Sequence, residues 1–156
     1  MGITSLDASY RVLALCTSPA WSHSCPDVDA QRSVFQGLDH GIHALSTGSA
    51  RAFEVDRADF KNNICGVYAS GVVGAKITRN KFVMGNRDVD LVGPVDEKFQ
   101  LRHRGVYTFQ SWAFAIDDNE ASMYPGATAQ AEAYVVGYSR EHHDYVFRNN
   151  ATGVEN

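Results

Sequence analysis

GVYASGVVGAKITRNKF, residues 66–82, returns as GVYTFQSWAFAIDDNEA, residues 105–121, with the glycine, the β-branched residue and the tyrosine in the same opening places. Each stretch closes on a six-residue pattern, apolar-x-x-Asn-x-apolar: ITRNKF (Ile77 to Phe82) and IDDNEA (Ile116 to Ala121). The same pattern occurs as VDRADF (Val55 to Phe60), with Ala58 in the asparagine place, and as VFRNNA (Val146 to Ala151). The glycine element occurs a third time as GIHA at Gly41, and the two elements alternate along the chain. Gly41 to Gly66 is 25 residues and Val55 to Ile77 is 22, the range in which repeats build solenoids; later hexads are 39 and 30 residues apart, so those repeats carry insertions.

The short apolar alternations between turn residues, with no convincing amphipathic helical stretch, make this an all-β chain. One repeat reads as three short strands and three turns: a strand ending at Phe60, a strand over 66–69 and a strand over 75–78. Residues 1–32 lack the repeat and hold one strand-like run, Tyr10 to Leu15, so they read as an irregular cap or a degenerate first coil. Residues 33–156 carry four to five coils, with inserted segments at 83–104 and 122–132. The chain stops inside a repeat, at VFRNNATGVEN, which suggests a fragment, a truncation, or a solenoid end that self-associates or is covered by another chain.

The totals narrow the class of partner. At 156 residues, 44% hydrophobic and 21% charged, the chain is long enough for a sizeable core and too apolar to be disordered. A net charge of -4 and the lack of any basic run argue against nucleic acid, and no apolar run is long enough for membrane insertion or a signal-peptide core. Three cysteines, none in a C-x-x-C, do not make a zinc or redox centre; Cys16 and Cys25 pair if the compartment is oxidising and are otherwise two unrelated thiols.

On the two 17-residue stretches quoted above, the chain resembles the right-handed single-stranded parallel β-helix family of pectate-lyase-like architecture. It is especially similar to the repetitive β-helix regions of large secreted bacterial surface proteins, and the likeness covers residues 33–156. The resemblance implies a β-solenoid at an extracellular or cell-surface location. Its lyase members use a calcium-binding acidic cluster beside a basic residue. No motif here matches that cluster, so no catalytic residue is assigned and the chain reads as more a binding or structural module than an enzyme.

Two columns follow from stacking the repeats. Asn80, Asn119 and Asn149 fall in one place at about 4.8 Å per rung and read as a structural amide ladder. Val55, Ile77, Ile116 and Val146 fall in an inward column, with Phe60 and Phe82 in a second, where Ala121 and Ala151 replace them. If Ile42, Val67 and Val106 point inward, alternation sends His43, Tyr68 and Tyr107 outward, with Phe109 and Trp112 in the turn that follows. Such a ring ladder suits carbohydrate, whose apolar C–H face stacks on aromatic rings; the structural alternative is that tyrosines favour strands and pack on one another.

No cofactor or metal site is read. Asp88, Asp90, Asp96 and Glu97 offer oxygen ligands of the type calcium takes but lack D-x-D-x-D-G spacing, and read as a solvated loop. His142-His143-Asp144 reads as a turn, because adjacent histidines on an extended chain point apart. The expected function is a non-catalytic structural or adhesive module that contacts carbohydrate. The alternatives are a fragment of a polysaccharide lyase or glycoside hydrolase, for which Asp88, Asp90, Arg102 and Arg104 are the cluster of interest, and a purely structural or oligomerising spacer.

Overall fold

The computed structural model describes residues 1–18, 25–48, 51–85, 103–127, 131–137 and 146–152. Among them the chain is almost entirely β, with one short 3-10 turn at Asp27–Asp29. Three five-stranded sheets account for nearly all of it. Sheet A holds β1 (Ile3–Leu6), β6 (His40–Leu45), β9 (Cys65–Ser70), β12 (His103–Phe109) and β15 (Ala131–Val136) in that spatial order. Sheet B holds β2 (Tyr10–Leu13), β7 (Phe53–Asp56), β10 (Lys76–Thr78), β13 (Ala115–Asp117) and β16 (Val146–Arg148). Sheet C holds β5 (Ser33–Gln36), β8 (Ala58–Lys61), β11 (Lys81–Met84), β14 (Glu120–Met123) and β17 (Ala151–Thr152). All these pairings are parallel, and the chain visits A, B and C in that order five times.

Residues Ile3–Leu6 and Tyr10–Leu13 are therefore the first members of sheets A and B, in register with Ile42 and Val55 of the second circuit. The first of these strands had no counterpart in the sequence pattern. Between β2 and β5 the chain makes an antiparallel pair, β3 (Leu15–Cys16) with β4 (Ala30–Gln31), closed by a Cys16–Cys25 disulfide. Asp27 and Arg32 tie this excursion to the later circuits through ion pairs of 2.6 Å to Arg57 and to Asp59. Strand β11 runs to Met84, β12 starts at His103, β14 runs to Met123 and β15 starts at Ala131.

Inside, Ile42, Val67 and Val106 form one column and Val55, Ile77 and Ile116 another, each with no exposed surface. A third column stacks Phe35, Phe60 and Phe82 at 5.0 and 4.8 Å between ring centroids, with their planes nearly parallel. Burying each ring contributes about 2 kcal/mol. This column dictates the glycines opposite it. A Cβ on Gly41 would lie 2.7 Å from the Phe60 ring and 2.7 Å from the Gly66 carbonyl; on Gly66 it would lie 2.7 Å from Phe82 and 2.5 Å from the Gly105 carbonyl. No real Cβ tolerates either approach.

Where the ring column stops at Ala121, the core is filled from elsewhere. Tyr134 takes the inward place of Val106 in the fifth circuit and meets Phe82 of the third edge-on at 6.3 Å, a contact that skips a circuit because Ala121 is small. Phe147 then packs on Tyr134 at 5.4 Å. This corrects the last repeat by one residue: Phe147, not Val146, is the partner of Ile116, and Thr152, not Ala151, is the partner of Ala121. VFRNN has two adjacent apolar residues and two adjacent asparagines, so both registers fit the pattern; the register adopted lays the Phe147 ring, still 47% exposed, against Tyr134. A one-residue slip exchanges the two faces of a strand.

The amide ladder shifts with it. Asn119 Oδ1 accepts from the Asn80 backbone N–H at 2.9 Å and from its Nδ2 at 3.0 Å, and Asn150 Oδ1 accepts from the corresponding atoms of Asn119 at 3.1 and 3.0 Å. Nδ2 of Asn80, Asn119 and Asn150 donates back to the carbonyls of Val55, Ile77 and Ile116. Asn149, expected in this ladder, instead stands at φ 54° in the corner, where Arg57, Arg79 and Asp118 stand in the earlier circuits, and donates to Asp117 at 3.2 Å. Asparagine suits that left-handed conformation better than most residues.

Three stability outcomes follow, each read by urea denaturation. Gly66→Ala is expected to cost about 1–3 kcal/mol or more from overpacking. Asn119→Ala strands two donors of Asn80, a residue with no exposed surface, and is expected to cost about 2–4 kcal/mol. Tyr134→Phe removes a buried hydroxyl with no partner among the described residues, so stability should hold or rise.

Candidate functional site

The outer faces of the three sheets differ in chemistry. Sheet B carries paired charges: Arg11 meets Glu54 at 2.7 Å, Arg79 holds both oxygens of Asp56 at 2.7 and 2.8 Å, and Arg148 meets Asp117 at 2.7 Å. Sheet C does the same with Lys61 on Asp59 at 3.3 Å and Lys81 on Glu120 at 3.4 Å. Sheet A presents rings. Its register places Thr4, His43, Tyr68, Tyr107 and Val135 in one column.

The rings interlock. His43 meets Tyr68 at 5.1 Å with planes 60° apart, and Tyr68 meets Tyr107 at 5.4 Å with planes 55° apart. They do not make a contiguous flat platform, because neighbours at strand spacing relieve face-to-face repulsion by tilting. Tyr107 is only 6% exposed, while His43 and Tyr68 are half-buried. The accessible rings of the column are thus those of His43 and Tyr68. Burial, reinforced by Tyr68, raises the pKa of Tyr107.

Arg104 braces the far end of the face, with its guanidinium 4.9 Å above the Tyr107 ring and its Nε donating to Glu132 at 3.0 Å. Phe109 is the last residue of β12, opposite Ser70, and not part of a turn; its ring lies 6.5 Å from Tyr107. Trp112 lies beyond the strand, in the A-to-B corner, where it bridges to Val73. It belongs to a different column from the tyrosines.

His40 joins this face unannounced by the pattern. Three residues from His43, it should point to the opposite side under strict alternation. Gly41 and Ile42 are consecutive buried positions, however, so alternation breaks at the glycine. The rings of His40 and His43 stack at 4.8 Å with planes 19° apart, and His40 meets Tyr68 edge-on at 5.9 Å. A glycine inside a strand run is the one sequence signal that could have exposed this.

Little on this face is reactive. Cys65, opposite both His40 and Arg104 in the ladder, is a free thiol that burial pushes up to about 12, the nearby Arg104 opposing weakly. Asp88, Asp90, Asp96, Glu97, Arg102, His142, His143 and Asp144 lie outside the described residues. Among those that are described, no three His, Cys, Asp or Glu side chains converge as metal ligands, and no helix is long and apolar enough to cross a membrane. Comparison of the chain with protein-family models, curated proteins and solved structures found no match.

The Cys65 environment makes a direct expectation. With Cys16–Cys25 oxidised, the native protein at pH 8 should leave Cys65 unmodified by a thiol-reactive chromophore, and one thiol per chain should react after denaturation. Prompt reaction of the native protein would contradict the buried placement.

Proposed function

We propose that this chain is a right-handed parallel β-helix of five coils, of the pectate-lyase-like kind, serving as a non-catalytic extracellular structural or adhesive module whose sheet A contacts carbohydrate. The observation that carries this reading is the ring pair of sheet A: His43 and Tyr68 lie side by side as half-buried rings on its outer face, where sheets B and C carry charge pairs such as Arg11–Glu54 and Lys61–Asp59. A pyranose presents an apolar C–H face to such a ring while its hydroxyls bond the polar rim. The Cys16–Cys25 disulfide supports the extracellular part, since such bonds persist in oxidising compartments.

One observation favours a second reading, the structural spacer: the rings satisfy one another edge to face, as packing alone would arrange them. A glycan array on the intact chain separates the two. Binding should be weak and should fall several-fold, without vanishing, in Tyr68→Ala, a substitution at a half-buried site that leaves circular dichroism unchanged. Tyr107→Ala is the poorer probe, because that ring is buried beneath Arg104. Unaltered binding by folded Tyr68→Ala removes the sheet A site, and no binding by the wild type leaves the spacer. A calcium-dependent thermal shift on the same sample would instead favour the lyase or hydrolase alternative.

A further inference from the structure

The His40–His43 stack is built for one protonation state. Each ring has its Nδ1 buried with no hydrogen-bond partner among the described residues, and the two rings lie nearly parallel at 4.8 Å. A neutral imidazole leaves Nδ1 there as a bare lone pair, at the modest cost of an unused acceptor. An imidazolium would instead bury a charged N–H with nothing to accept it, beside a second ring with the same problem. We infer that the His40–His43 stack is a proton-sensitive latch on the outer face of sheet A: neutral, it holds both rings against Tyr68; protonated, it separates and loosens that face.

The surroundings do not rescue the cation. On the same segment Asp39 favours protonation of His40, but burial and the charge of His43 oppose it, as does the amino group of Met1 before β1. From β9 come Tyr68, in ring contact with both histidines, and Cys65, whose thiol is held in its protonated form; neither supplies an anion. One strand further, Arg104 is already paired with Glu132. Burial lowers the pKa of both histidines from the ordinary 6.5. The unfolded chain then takes up protons that the folded one refuses. The stack's contribution is complete above pH 6.5 and is lost as pH falls through that value toward the folded-state midpoints.

The consequence for sugar binding rests on the carbohydrate reading above; the latch itself does not. Proton NMR titration of the full chain, with the two resonances assigned through His40→Gln and His43→Gln, should give midpoints below 6.5 for both histidines. The urea midpoint should fall between pH 7.5 and 5.5, and His43→Phe, which keeps a ring in the stack without a proton site, should show a clearly smaller fall. Either histidine titrating at or above 6.5, or an undiminished fall in folded His43→Phe, overturns the latch. Glycan binding measured at the same two pH values separates the claims: wild type that binds at neither fails the carbohydrate reading, while titration and denaturation still decide the latch.

Discussion

The contact on which the rest of the molecule depends is that between the phenylalanine stack of sheet C and the glycine column of sheet A. Phe35, Phe60 and Phe82 need room that only Gly2, Gly41 and Gly66 leave, with a ring atom as near as 2.7 to 2.9 Å to where a Cβ would sit. That closeness fixes how sheets A and C meet. It also places two consecutive buried residues, such as Gly41 and Ile42, in a strand that should alternate, and so brings His40 to the same side as His43. The chemistry of the outer face thus begins with a packing demand inside.

The later circuits show how the same constraint is relaxed. Ala121 ends the ring column, Ala133 takes the glycine place in the fifth circuit, and Tyr134 reaches across the vacated layer to Phe82. Close packing has to be kept, but it need not be kept by the same residue. The polar corner between sheets B and C obeys a stricter rule. Its carbonyls and N–H groups are buried, and each circuit must answer them, which Asn80, Asn119 and Asn150 do in turn. Asp56 and Asp117 complete that corner by accepting from the arginines of the next circuit, Arg79 and Arg148.

These interior rules leave the outer faces free to differ, and they do. Outer-face pairs such as Arg11–Glu54 and Lys81–Glu120 are solvated and contribute little each to stability, unlike the buried carboxylates Asp56 and Asp117 of the corner. On sheet A, the Arg104–Glu132 pair is shielded and works as a brace for Tyr107, while His40 and His43 stack on one another beside Tyr68.

The repeat, its all-β class and the parallel stacking were legible in residues 66–82 and 105–121, because a period of strand, turn and inward residue is written locally. So were the column containing His43, Tyr68 and Tyr107 and the first two rungs of the asparagine ladder. The first strand, Ile3–Leu6, was not, since its partner lies in β6, 39 residues away by register, and its own residues carry no repeat. Nor was the last rung, where VFRNN satisfies two registers and only the packing of Phe147 on Tyr134 chooses between them. The tilt of the rings, the burial of Tyr107 and the His40–His43 stack belong wholly to tertiary structure. Sequence alternation assigns a residue to a face, but the angle and exposure of a side chain are set by neighbours from other circuits, and the break at Gly41 is set by a phenylalanine from a different sheet.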